Sequence, residues 1–284
     1  MEDVVLVGID GSPAASRALE VAITEACVRS WPLHLISVFA PSLVIDPTVG
    51  SVYAGAQQHE STMLLEEAAE PAIRRGLEVS TRIESGEAHR VLARHSAQAG
   101  LVVVGKHGRH TVSDRVLGGV SSWLAAHANC PVLITAPARE GRPSEPAVAA
   151  DDNDYGGSIV AAVDGKAQQC TTVRAAAQMA RLHSKPLVIV LVRGTSGDDR
   201  VLSGTETMLE QLLQAARQEH PDLVVKWQVR PGRAAKALIG ISHSADMLVL
   251  GTRGHSGLTG LVLGSVSQAV LLGGTSPVMV VPQP

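Results

Sequence analysis

Residues 251–267, GTRGHSGLTGLVLGSVS, hold five glycines, three serines and an arginine, and follow the apolar run Met247-Leu248-Val249-Leu250. Residues of these types in this order suit the holding of an anion by backbone amides. Gly251 and Gly254 allow the chain to approach phosphate oxygens without a Cβ in the way. Gly264-Ser265 opens a helix, whose first turn offers unpaired N–H groups and partial positive charge. Ser265 is placed to cap that helix or to donate to a phosphate, Arg253 adds charge at the rim, and Ser267 follows in the first turn. For such a segment on its own, a flexible surface loop is the alternative.

A second segment has the same form. Gly105-Lys106-His107-Gly108 is followed after nine residues by Gly118-Gly119-Val120-Ser121-Ser122. Gly119 stands where the other segment has Ser265, so a hydroxyl is lost and Ser121 compensates only in part. A weaker first site is expected. Asp10 and Asp164 each close the first apolar run of their half, at the strand end where open parallel sheets bind ligands. A carboxylate there accepts hydrogen bonds from a ribose or an adenine amino group; the alternative is an N-cap, since Asp10 precedes Gly11-Ser12-Pro13.

Positioning these residues requires the same elements twice. Val7-Gly8-Ile9-Asp10-Gly11 resembles Ala161-Ala162-Val163-Asp164-Gly165, at an offset of 154 residues that Pro32 and Pro186 share. Gly86 and Gly232, Gly105 and Gly251, Gly118 and Gly264, and Pro131 and Pro277 all lie 146 apart. The register implies a duplicated domain with an eight-residue excess in the first copy, expected as a longer surface loop within 41–60. Pro, Gly and clustered acids at 138–157 suggest a solvated linker between domains at 1–137 and 158–284.

Within each copy, short continuous apolar runs alternate with segments of helical periodicity. Strands are expected at 4–9, 33–39, 78–83, 101–104 and 132–135, with helices after each of the first four. The second copy repeats them at 187–192, 223–229, 247–250 and 278–281. This alternation implies two doubly wound α/β sandwiches, each a parallel sheet covered by helices on both faces.

The 284 residues are 45% hydrophobic but only 2% aromatic, so aliphatic and alanine side chains must fill the core. A net charge of −3 gives no electrostatic footprint for nucleic acid, and one Phe, two Tyr and three Trp are little material for base stacking. No apolar run is long enough to span a bilayer. Cys27, Cys130 and Cys170 have neither metal-site nor disulfide-ladder spacing and read as small buried hydrophobes in a reducing cytoplasm.

G-x-x-G, nine residues, then G-[ST] after an apolar strand, with a strand-ending Asp near the start, resembles the ATP-binding pattern of universal stress proteins. Gly251, Gly254, Gly264 and Ser265 match fully, and the first copy matches except at Gly119. The resemblance implies a tandem member with two Rossmann-like five-stranded sheets of order 3-2-1-4-5, which brings Asp10 and the Gly105 turn to one crevice. It places adenine and ribose against Gly8, Asp10 and Val38 in one copy, and Ala162, Asp164 and Val192 in the other. Triphosphate contacts fall on Gly105, Gly108, Gly118, Gly119, Val120 and Ser121, and on Gly251, Arg253, Gly254, Gly264, Ser265, Val266 and Ser267. Lys166, where the first copy has Ser12, could meet a phosphate. ATP, with Mg²⁺, is the implied cofactor. Family members also pair through the fifth strand, so the apolar edges at 131–134 and 277–281 imply an intrachain pseudo-dimer, and a homodimer of such chains is a further expectation.

Neither a Walker lysine pattern, nor a G-x-S-x-G elbow, nor an H-E-x-x-H site occurs. The histidines show no ligand spacing shared by both copies, and His255 beside the second glycine segment is the one to mutate. The expected function is ATP-dependent stress regulation rather than efficient catalysis, with no nucleic-acid or membrane partner. A nucleotide-free interaction module and a slow ATPase are the alternatives.

Overall fold

Runs of Val, Leu and Ile too short to make helices form the strands of this protein, and alanine-rich segments form the helices that cover them. The computed structural model describes residues 3–40, 47–108, 117–136, 155–165, 170–194, 200–252 and 263–283. The chain separates into two compact units, Met1–Thr135 and Ala136–Pro284.

Unit 1 runs β1 (Val5–Gly8), α1 (Pro13–Arg29), β2 (Leu33–Phe39), α2 (Pro47–Arg74), β3 (Val79–Ser85), α3 (Ala88–His95), β4 (Leu101–Gly105), α4 (Gly119–His127) and β5 (Val132–Thr135). β1 pairs in parallel with β2 and β4, β2 with β3, and β4 with β5, giving the order 3-2-1-4-5. Unit 2 repeats the order with β6 (Ile159–Val163), α5 (Cys170–Leu182), β7 (Leu187–Arg193), α6 (Arg200–Glu219), β8 (Val225–Pro231), α7 (Ala234–Ser242), β9 (Met247–Gly251), α8 (Ser265–Gly273) and β10 (Val278–Val281). There β6 lies between β7 and β9, with β8 and β10 outside them, again all parallel.

The strands next to the centre are buried on both faces. Val5, Val7, Leu33, Leu35, Val102 and Val103 have no exposure, nor do Val160, Ala161, Ile189 and Val249. Parallel strands covered by helices on both sides read as unbroken apolar runs for this reason. Ala18, Ala22 and Ala26 turn one face of α1 into a smooth surface that lies directly on the sheet. The helix starts on Ser12, whose Oγ accepts the Ala15 N–H at 3.1 Å, with Pro13 in the first turn. It ends on Ser30 in the left-handed region at φ 56°, and Ser184 ends the corresponding chain after α5 at φ 52°.

Three expectations are corrected. The excess of the first copy is not a surface loop over 41–60, because α2 begins at Pro47 and residues 47–60 are helical. Proline is well suited to the first helical position, and Ala, Gln and Glu sustain the helix after it. Nor is the excess a single eight-residue step. Leu65, Ala68, Ala69 and Ala72 are buried in α2 just as Leu209, Leu212, Leu213 and Ala216 are in α6, an offset of 144. Ten residues are therefore gained before α2's buried face, and two are given back before β3, where Val79 matches Val225 at 146. The cysteines differ too: Cys130 is buried, but Cys27 and Cys170 are exposed, because they fall on the outer faces of their helices.

Candidate functional site

β1 ends in a turn that orients a carboxylate. Gly11 adopts φ 75°, which folds the chain back so that Asp10 Oδ1 accepts the Ser12 N–H at 2.9 Å. Ser12, not Asp10, caps α1. The other oxygen faces the glycine turn after β4: a Cβ on Gly108 would lie 3.0 Å from Asp10 Oδ2. The aspartate and the turn thus meet, as adjacent parallel strands β1 and β4 require.

The glycines of the turn have different reasons to be glycine. A Cβ on Gly105 would lie 2.7 Å from Ala14 Cβ and 2.8 Å from the Ala14 carbonyl, so this residue is small because α1 packs against it. Gly118 has the backbone carbonyl of Lys106 3.2 Å from its would-be Cβ. A Cβ on Gly119 would meet nothing within 4 Å among the described residues.

Both units close this turn with an equivalent backbone bond, and each adds a serine hydroxyl bond to a nearby carbonyl. The Gly118 N–H donates to Lys106 O at 2.9 Å, and the Gly264 N–H to Thr252 O at 2.9 Å. Ser121 Oγ reaches Lys106 O at 3.0 Å and Gly118 O at 3.1 Å, and Ser267 Oγ reaches Gly251 O at 2.9 Å. The Ser121 and Ser267 hydroxyls therefore face inward and tie the helix start to the strand end. Gly118 and Gly264 are the N-caps of α4 and α8, and neither helix has a side-chain cap. The N–H groups of Gly119, Val120 and Ser121, and of Ser265, Val266 and Ser267, open these helices without intrahelical acceptors. With the helix dipole, they make each end attractive to an anion.

In unit 1 these groups border one cavity of about 660 Å³. Gly8, Asp10 and Val38 line it from the strand tips, and Gly105, Gly108, Gly118, Gly119, Val120 and Ser121 from the turn and α4. All nine positions singled out in the first copy meet there. Three further groups also line it: Gln57, Glu60 and Ser61 of α2; Gly86 to His89 at the start of α3; and His107. Gln57 and Glu60 escape sequence reading because their stretch resembles a loop. Gly86, at φ 143°, left a signal in its register with Gly232, at φ 123°.

His89 begins an aromatic stack with no counterpart in unit 2. Its ring centroid is 4.7 Å from that of Trp123, which lies parallel to His127 at 3.8 Å. His127 Nδ1 donates to Trp123 O at 2.9 Å. At the 146-residue offset stand Ala235, Ala269 and Gly273. At the far end of α3, His95 Nε2 donates to Glu84 Oε1 at 2.7 Å, His34 Nδ1 lies 2.6 Å from Ser80 Oγ, and Arg82 and Arg94 also pair with Glu84. Burial, then the charges of His95 and Arg82, hold His34 below the ordinary histidine range, with Glu84 opposing. For Glu84, burial acts upward, but the His95 hydrogen bond and the charges of His95, Arg94 and Arg82 prevail and lower it.

In unit 2, Ala162 lies in β6 and Asp164 just beyond its tip; Val192 lies near the end of β7, Gly251 closes β9, and Gly264 to Ser267 start α8. Arg253, Gly254, His255 and Lys166 lie outside the described residues. A Cβ on Gly251 would meet Gln283 Nε2 at 3.0 Å, where Gln283 donates to Thr172 Oγ1 at 2.9 Å. A second concavity, of about 610 Å³, runs along α6 beside Trp227 of β8 and holds none of the predicted site residues. Among the described residues no group of three or more His, Cys, Asp or Glu is arranged to hold a metal, and no helix is long and apolar enough to cross a membrane.

Two doubly wound parallel sheets, each with an uncapped helix start beside a strand-tip aspartate, define a duplicated Rossmann-like α/β protein. Residues 1–136 and 157–282 each match the universal stress protein family, and the chain belongs to that family. Universal stress protein Rv1996 of Mycobacterium tuberculosis is 28% identical over 302 residues, covering 97% of this chain and 94% of the relative. Universal stress protein Mb2028c of Mycobacterium bovis is 28% identical over 294 residues, covering 98% and 97%. A universal stress protein from Archaeoglobus fulgidus superposes with a TM-score of 0.73 at 18% identity, covering 99% of this chain and 96% of its own. That likeness is one of fold.

Proposed function

We propose that the chain is an ATP-binding stress regulator, in which the unit 1 cavity holds the nucleotide and its loaded and empty forms are told apart by a partner. The observation that carries this is the convergence of all nine first-copy positions on one cavity of about 660 Å³. Phosphates would lie against the Gly119, Val120 and Ser121 amides, with Asp10 toward the ribose. In unit 2 the same roles fall to the α8 amides and Asp164. Mg²⁺ would enter on phosphate oxygens, since Mg²⁺ commonly needs only one or two protein carboxylates beside them. A switch of this kind requires a partner with different affinity for the two states.

Slow hydrolysis is the second reading, favoured by His89 and His107 lining the same cavity, imidazole being the commonest general base. The edge pairing of the two copies and the homodimer expected from the sequence belong to the same proposal, and sedimentation of the chain tests the homodimer. The deciding experiment is to release bound small molecules from purified protein by heat, identify them by absorbance and chromatography, and titrate the emptied chain with ATP. Protein that carries no adenine nucleotide and ignores added ATP overturns the proposal. Phosphate release well above that of Asp10→Ala favours the enzyme.

A further inference from the structure

The wall of the unit 1 cavity on the β2 side is polar in a way that the apolar sheet beneath it does not require. Ser37 of β2 and Ser61 of α2 line the cavity at 3% and 5% exposure. Gln57, one helical turn before Ser61, lines it as well, and its Oε1 is buried without a hydrogen-bond partner among the described residues. A buried amide oxygen left unpaired is costly, so one kept beside a cavity points to a ligand that supplies the donor. β2 lies on one side of β1 and the glycine turn follows β4 on the other. The wall and the turn are thus separated by two strand spacings, about 10 Å, enough to set a heterocycle at one end and phosphates at the other.

The sequence of unit 2 keeps only one of these three polar residues, as a threonine. At the strand offset of 154, Leu191 replaces Ser37; at the helix offset of 144, Val201 replaces Gln57 and Thr205 replaces Ser61.

We propose that the two units differ in selectivity: unit 1 takes a 6-aminopurine nucleotide in preference to a 6-oxopurine through Gln57, with Ser37 and Ser61 completing the polar wall, whereas unit 2 does not discriminate on this basis. This rests on the nucleotide reading above. A primary amide presents one donor beside one acceptor, which matches the amino group and N7 of adenine. Hypoxanthine and guanine present two acceptors, O6 and N7, on that edge. Whichever way the Gln57 amide is turned, its oxygen then faces a lone pair.

The test uses the full chain carrying Gly264→Glu, which places a carboxylate in the second turn so that unit 1 is read alone. Calorimetric titration with ATP, inosine triphosphate and inorganic tripolyphosphate should show ATP binding about tenfold tighter than inosine triphosphate, the scale of one bidentate contact. Adding Gln57→Leu should bring the two nucleotides to near equality and leave tripolyphosphate unchanged. Should that variant fail to fold by circular dichroism, Ser37→Leu, which installs the unit 2 residue, is expected to narrow the same ratio. Equal binding of both nucleotides by the parent, or a preference that survives the substitution intact, overturns the selectivity while the nucleotide reading stands. Failure to bind any of the three ligands overturns both.

Discussion

Ser121 Oγ lies 3.0 Å from the carbonyl oxygen of Lys106, joining the first turn of α4 to the chain just beyond β4. Its single hydrogen is shared with Gly118 O, and the hydroxyl is 1% exposed at the residue level. Ser267 Oγ bonds instead to Gly251 O, one residue earlier in the turn than the position equivalent to Lys106. A serine that looks like a phosphate ligand in the sequence is in both units the clasp that shapes the turn. Ser121→Ala should therefore cost about 1 kcal/mol of stability and weaken ATP binding several-fold. Ser121→Thr should keep much of both. Thermal melts alongside a titration check this; an Ala variant of unchanged stability would remove the clasp.

Gly105 and Gly251 occupy the same place but should respond differently to alanine. At Gly105 the new Cβ would meet Ala14 backbone at 2.8 Å, and at Gly251 it would meet the end of a flexible glutamine side chain at 3.0 Å. Overpacking against a helix backbone costs about 1–3 kcal/mol, so Gly105→Ala should unfold unit 1 earlier. Gly251→Ala should cost less, because Gln283 can move. Comparison of the two denaturation midpoints decides, and equal losses would contradict this account.

Gly119→Ser restores to unit 1 the hydroxyl that unit 2 carries at Ser265. Among the described residues nothing lies within 4 Å of the Cβ it would add. The expected result is a several-fold gain in triphosphate affinity with no loss of stability. Titration of a chain blocked at Gly264 reads it directly, and weaker binding would show that the open space is needed for the ligand itself.

Acid should loosen the β2–β3–α3 corner of unit 1 in two stages. His34 is held below its ordinary value of 6.5, so the unfolded chain binds its proton first and stability falls as pH drops below about that value. Glu84 is held below 4.5, so the stability it contributes is present above that value and is lost as pH falls through its lower folded value. Both act in the same direction. Thermal melts from about pH 8 downward should fall first near pH 6.5 and again below 4.5, and His34→Gln should flatten the first stage alone.

Thiol chemistry should divide the three cysteines. Burial pushes the Cys130 thiol up to about 12, whereas Cys27 and Cys170 are exposed. A thiol reagent at neutral pH should label Cys27 and Cys170 quickly and Cys130 only on unfolding. Rapid labelling of Cys130 in native protein would show that β5 opens locally.

The repeat, the strand and helix alternation and the positions at the strand tips were all legible in the residues. Each depends on local periodicity or on glycines held in register, and such signals survive without a partner. Asp10 and the glycines of the 105–121 segment could be singled out for that reason, whereas Gly8 and Val38 came from the family resemblance. Gln57, Glu60 and His89 could not, because their part depends on where α2 and α3 come to rest on the sheet. The α2 stretch carried Pro, Gly and Ser, which imitate a loop until Pro47 is seen to start a helix.

From the sequence alone came the duplicated α/β plan, the aspartate at each first strand tip and the glycine turns. These follow from nearest-neighbour chemistry along the chain. Tertiary structure decided which glycines are small for packing and which leave open space, that Ser121 and Ser267 turn inward, and that α2 lays Gln57 and Ser61 over the cavity. The physical reason is that hydroxyl direction and helix placement are settled by groups distant in the chain, which compete for the same few ångströms beside the sheet.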